Sequence, residues 1–433
     1  MMRIREYKRN ARRRFFRAFV VAILVYVVLA SFISSIVGIA NHRRWINLPT
    51  QKLPRVFPQE PTPEDGKIDH CVTGPIGWEQ KGHYRITTYN LPLTADALYL
   101  FTRGSGISGN IKIIQDAYLK SKDSMQVEIG VPPMSSDRLG SLKVCSLERK
   151  VGQKGIGIFS APWYPDTPAL FHLSITVRIP QHNRKAIRIN SFETDLPNFS
   201  HSLSDLVPNV SFGSLTLKSS NERIVVDGGI RAHNASFQTS NAAIEGIFST
   251  HGSLELITAN YAIEAAITLH NSDESRPTRL NLKTTNARLS SMLYLISDYE
   301  DTSSGSFDVT SSTTNGPLSI QFSSQPINST LNLNTNSRNA LTSVYLHRSF
   351  EGQFSVRSTN GRQIVEGDET AESPDGDANR RRDLQVRRFK DRTVGSVAWV
   401  KEGEDEEDAR RRREERGNVD VKTTNSPVML KFT

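Results

Sequence analysis

Two cysteines, Cys71 and Cys145, are all that the 433 residues contain, so a four-thiolate zinc site and a Cys-x-x-Cys redox pair are both excluded. Histidine is scattered: His42, His70, His83, His172, His182, His201, His233, His251, His270 and His347. None stands at His-Glu-x-x-His spacing, and no Gly-x-Ser-x-Gly elbow occurs. Aromatics make up 8% and apolar residues 37%, low for a compact multi-domain core and better suited to thin, turn-rich β-structure. An excess of one charge is also missing from the bulk of the chain. The formal net charge is +9, but Arg3, Arg5, Lys8, Arg9, Arg12, Arg13, Arg14 and Arg17 against Glu6 alone place +7 of it in the first 17 residues. The near-neutral remainder gives no footprint for nucleic acid.

Only one long apolar run is present, and it divides the chain. Ala18 to Ala40 is 23 residues without a charge, which as a helix slightly exceeds a hydrocarbon core of about 30 Å. The basic flank before it predicts a cytosolic tail (1–17), a transmembrane helix (18–40) and an extracellular or lumenal remainder. The apolar run of a cleaved signal peptide is shorter. A single-pass protein integral to a membrane is the expectation. On the non-cytosolic side Cys71 and Cys145 are free to form one disulfide, and the sequons at Asn198, Asn209, Asn234 and Asn328 are accessible to glycosylation.

Residues 41–66 carry Pro49, Pro54, Pro58, Pro61 and Pro63 among polar residues and read as an extended stalk. Residues 67–197 alternate short apolar strings with turns, as a sandwich-like β-rich domain does. Gly104-Ser-Gly106-Ile-Ser-Gly109 matches Gly-x-Gly-x-x-Gly, but the residues after it read as a strand. A glycine-rich hairpin loop, not a cofactor site, is predicted.

Residues 198–367 repeat. A small polar triplet ending in asparagine recurs at Asn221, Asn241, Asn260, Asn286, Asn315, Asn336 and Asn360, and again at Asn425. The spacings are 20, 19, 26, 29, 21, 24 and 65. In six of the eight copies apolar residues stand four and six before the asparagine, as in Leu217 and Leu215, and in six an apolar residue stands three after it, as in Ile224. Period two buries one face of each strand, and asparagine makes the bend. No unit buries its apolar face alone, so the period predicts stacked rungs of an all-β solenoid. Residues 368–417 are dense in charge of both signs and read as a disordered insertion, after which 418–433 add the closing strands.

At these triplets, and at Ser191-Phe-Glu-Thr-Asp-Leu-Pro-Asn-Phe, the chain resembles uncharacterised fungal single-pass membrane proteins whose outer part is similar to adhesin-like β-solenoid domains. The likeness covers about Ser191 to Thr433 and the anchor layout. It implies a surface or envelope role, with no established catalytic residue to transfer; no metal or cofactor site is expected.

The resulting expectation is a membrane-anchored, adhesin-like binding or structural protein without catalysis, meeting wall or matrix glycans or a second copy of itself. The alternative is a polysaccharide lyase or hydrolase, which needs two carboxyl groups about 5–10 Å apart. Glu222, Asp227, Glu245, Glu255 and Glu264 are the candidates, because stacked rungs set side chains in rows. A flat Thr/Asn-lined face favours the first reading, and close carboxylate pairs in a cleft favour the second.

Overall fold

The computed structural model describes residues 58–161, 171–182, 186–204, 206–299, 304–368 and 371–433. Among them no helix is long and apolar enough to cross a membrane; the expected tail, the 18–40 span and the stalk up to residue 57 lie outside the described residues. The described part is almost wholly β, with two short helices, Ser136–Leu139 and Glu406–Glu415.

The strands form two parallel rows with the core between them. In the repeat each rung gives one strand to the first row, turns at the polar triplet and gives one strand to the second. Val210–Lys218, Thr278–Lys283, Ser306–Ser312 and Thr330–Asn336 belong to the first row. Ile263–Asn271, Leu289–Ser297, Leu318–Ser324 and Thr342–Leu346 belong to the second. Every rung pairs in parallel with the next, for instance Leu280 with Val309 and Val309 with Leu333. Two longer strands, Ile224–Gln238 and Ile244–Ile257, bend to run through both rows. The alternation read from the sequence is what fills the core: Leu215, Leu217, Ile224, Phe237, Leu254, Leu256, Ile263 and their successors are buried.

No break in the core falls at 197. Ala97–Arg103 pairs in parallel with Ile187–Asp195, and Ile107–Asp116 with Phe199–Ser204, so 97–116 is itself a rung. One apolar cluster runs from Val72 to Phe432. The antiparallel strands Lys67–Thr73, Leu142–Lys150 and Tyr84–Pro92 extend the two rows at this end. The glycine-rich stretch is the turn of that rung: Gly104 has φ +100°, and a Cβ at Gly109 would lie 1.9 Å from Leu173 O. Cys71 and Cys145 stand directly opposite each other on paired strands and are joined by a disulfide.

Three expectations are corrected. Residues 58–66 are not free stalk: Pro58 is buried, Gln59 N–H donates to Ser160 O at 3.0 Å, and Asp65 pairs with Arg103 at 3.8 Å. Residues 368–417 are not disordered through their length, because 380–401 fold as the antiparallel hairpin Arg380–Arg388 and Arg392–Lys401, followed by helix Glu406–Glu415. Their charge is neutralised partly within the segment, as in Lys401 with Asp377, Arg412 with Glu404 and Arg413 with Asp383, and partly from outside it. Glu351, 3% exposed, accepts from Trp399 N–H at 2.8 Å and pairs with Arg380, Arg412 and Arg416. Last, residues 418–433 do not close the solenoid. Gly417–Thr423 lies between Thr330–Asn336 and Gly352–Ser358, and Val428–Phe432 between Thr342–Leu346 and Gln363–Gly367. The final residues form an inner rung, and Val419, Val421, Val428, Leu430 and Phe432 carry the buried core across it.

Candidate functional site

Period two sends the residues between the core positions outward, and in-register stacking turns them into rows. On the first row of strands Ser214, Asn234, Ser253, Arg279, Asp308, Asn332 and Asn418 follow one another. Beside them run Thr216, Ser236, Glu255, Asn281, Thr310, Asn334 and Asp420. Together they line a shallow groove of about 830 Å³ without an aromatic ring. Its carboxylates are held by neighbours. Glu255 accepts from Asn281 Nδ2 at 2.9 Å and from Ser236 Oγ at 3.1 Å, Asp308 from Asn332 Nδ2 at 3.1 Å, and Asp420 pairs with Lys422 at 2.5 Å.

The candidate acids are not gathered there. Of the five, only Glu255 lines the groove. Glu245 and Glu264 are in-register neighbours on the second row of strands, with Arg288 4.0 Å from Glu264. Glu222 N–H donates to Ser219 Oγ in a polar triplet turn, and Asp227 is exposed on the strand Ile224–Gln238.

The repeat asparagines form a continuous ladder. Each Nδ2 donates to the Oδ1 of the rung before at 2.7–2.8 Å, from Asn221 onto Asn198 and then through Asn241, Asn260, Asn286, Asn315, Asn339, Asn425 and Asn360. Asn198 and Asn339 are members that the triplet pattern does not predict, and Asn336, which it does predict, is not a member. Asn336 lies exposed at the end of Thr330–Asn336 instead of in the turn; its place is taken by Asn339. The register rule carried half of that signal: Leu333, six before Asn339, is apolar and buried, whereas Thr335, four before it, is buried but polar. Asn198 was read as a sequon but begins the ladder, and its Nδ2 also donates to Ile107 O at 3.3 Å. Of the other sequons, Asn209 Nδ2 donates to Gln115 Oε1 at 3.2 Å, Asn234 lies exposed in the groove, and Asn328 is exposed on a turn.

Stacking also assembles a group that linear spacing conceals. His251 and His270 lie ring on ring, centroids 4.6 Å apart and 11° from parallel, and Asp298 stands beside both, 3.0 Å from His270 Nδ1 and 3.6 Å from His251 Nε2. Burial, then the neighbouring His270, pushes the pKa of His251 below the usual histidine value. His201 is a core residue. Its Nδ1 faces Phe199 O at 3.0 Å, so that nitrogen carries the proton and Nε2 accepts from Thr194 Oγ1 at 2.9 Å.

Residues 249–372 match a family described as a domain of unknown function, DUF7330, which is under half of the chain. No curated protein matches it. Among solved structures it is similar to a putative cell adhesion protein from Clostridium sporogenes, at 8% identity over 81% of this chain and 100% of that one, with a TM-score of 0.19. A putative adhesin from Parabacteroides distasonis is similar at 8% identity over 80% of this chain and 97% of that one, with a TM-score of 0.26.

Proposed function

We propose that this chain is an adhesin-like, non-catalytic binding protein, anchored in a membrane through residues 18–40 with residues 41–433 extracellular or lumenal, and that the polar groove is its contact surface for wall or matrix glycans. The observation that carries the reading is the groove lining: in-register Ser, Thr and Asn rows spanning several rungs, in which Glu255 and Asp308 are already hydrogen-bonded. A repeating row of hydroxyl and amide groups suits a repeating ligand rich in hydroxyls. General acid–base hydrolysis would instead require two carboxyl groups facing one scissile bond.

The test is the purified full chain in detergent, mixed with immobilised cell-wall polysaccharides while bound protein and newly released sugar ends are both followed. Binding without release is expected. Asn281→Ala and Asn332→Ala should each weaken binding, by up to about tenfold for one direct hydrogen bond. Sugar release abolished by Glu255→Gln would overturn the reading in favour of a carbohydrate-active enzyme. Silence in both channels would also sink it and direct attention to self-association.

A further inference from the structure

The bends that return the chain from the second row of strands to the first stack above one another as the asparagine turns do. Thr250 pairs with Leu269, which brings His251 to the side of His270; Asn271 pairs with Ser297, which brings Asp298 beside both. The backbone under these side chains is fixed by buried polar groups. Thr278 is fully buried, and its Oγ1 lies 2.7 Å from His270 O and 3.3 Å from His251 O. Asn271, 2% exposed, donates to Arg276 O and accepts from Ser306 N–H, while its own carbonyl holds Asp298 N–H at 2.9 Å. The donors are therefore presented from a rigid frame.

One ring nitrogen from each histidine and one carboxylate oxygen lie within 4.8 Å of one another. Three ligands at about 2.0–2.2 Å from a tetrahedral zinc ion stand roughly 3.3 Å apart. His270 and Asp298, at 3.0 Å, already meet that spacing, and His251 and Asp298 are at 3.6 Å. Rotations about side-chain torsions of the partly exposed His251 bring its nitrogen in. Two imidazoles and a carboxylate are the donor set of divalent zinc-class ions; calcium and magnesium take oxygen instead.

We propose that His251, His270 and Asp298 form a binding site for one divalent transition-metal ion of the zinc class. Three protein ligands leave a coordination position open to solvent. The site borders the polar groove, since Ser253, two residues beyond His251, is part of its lining. The metal site does not depend on the glycan reading and is tested apart from it.

Full chain stripped with a chelator is titrated with Zn²⁺ by calorimetry, and with Co²⁺ to read its visible d–d absorption. One equivalent, with a dissociation constant on the order of micromolar, is expected. His251→Gln and Asp298→Asn should each weaken it by about 100-fold, some 2.8 kcal/mol, and abolish the tetrahedral Co²⁺ spectrum. His83→Ala, on an exposed residue outside the cluster, should leave both unchanged. Circular dichroism shows whether each variant keeps the fold; should one unfold, the other supplies the comparison. Absence of a stoichiometric site in the unmodified chain, retention of affinity by folded His251→Gln and Asp298→Asn, or an equal loss in His83→Ala would each overturn the proposal.

Discussion

Asn360 donates its Nδ2 to Asn425 Oδ1 across 2.8 Å, although 65 residues separate them. Asn425 in turn donates to Asn339 at 2.7 Å. The order of the ladder thus departs from the order of the chain, and the C-terminal residues fill a slot between two earlier rungs. Among the described residues Val428–Phe432 has a hydrogen-bonded partner on each side, whereas Gln363–Gly367 pairs along one side only. Chain ends ordinarily fray. Here hydrogen exchange should protect the amides of Val428–Phe432 more strongly than those of Gln363–Gly367. Faster exchange at 428–432 would place the last rung at the outside and refute the interleaving.

The ladder also gives a sharp pair of substitutions. Asn339 donates to one neighbour and accepts from another; removing its side chain orphans Asn315 Oδ1 and Asn425 Nδ2. Asn339→Ala should cost about 1–2 kcal/mol of stability in denaturant unfolding. Asn336→Ala, three residues away on an exposed strand end, should stay within about 0.5 kcal/mol. Equal losses would mean that the turn triplet had been correctly placed at 336 after all.

What the sequence could and could not reveal follows from how local each signal is. Leu215, Leu217, Asn221 and Ile224 lie within one rung, so period and turn chemistry are readable from ten residues. The rung of Asn198 escapes because polar residues sit where the rule demands apolar ones. Thr194 and His201 occupy those positions, both buried, and satisfy each other. Ser311 and Thr335, hydrogen-bonded at 3.0 Å in neighbouring rungs, blur the register in the same way. The fold of 380–416 could not be read from its own composition, since the buried carboxylate shared by Arg380, Arg412 and Arg416 belongs to Glu351, outside the segment. The His251–His270–Asp298 group is likewise visible only once rungs are stacked, its members lying 19 and 28 residues apart.

Glu351 makes the hairpin and helix dependent on one buried group. Removing it leaves Arg380, Arg412 and Arg416 without that counter-charge and Trp399 N–H without its acceptor. Breaking a buried ion pair from one side costs about 3–5 kcal/mol. Glu351→Ala should therefore open 380–416 before the rungs unfold, and limited trypsin digestion should cut at the Arg410–Arg413 run while the rest of the solenoid persists. Cleavage no faster than in the unmodified chain would show that Glu351 does not hold the segment.

His201 supplies a pH dependence with a definite sign. It is 1% exposed, and burial lowers its pKa from the ordinary 6.5 to about 4, partly opposed by its hydrogen bond to Phe199 O. Above about pH 6.5 both folded and unfolded states hold it neutral, so it has no effect. As the pH falls towards 4 the unfolded chain takes up a proton that the folded chain refuses, and stability drops. Below about 4 both states are protonated, and the loss is complete at about 3 kcal/mol. Burial also lowers His251 and His347, which act in the same direction, so the measurement compares two proteins. Urea unfolding of the unmodified chain and of His201→Gln between about pH 7 and pH 4 should show the former losing about 3 kcal/mol more. Parallel pH profiles would mean that His201 is protonated in the folded protein, with Nε2 donating to Thr194 Oγ1 instead of accepting from it.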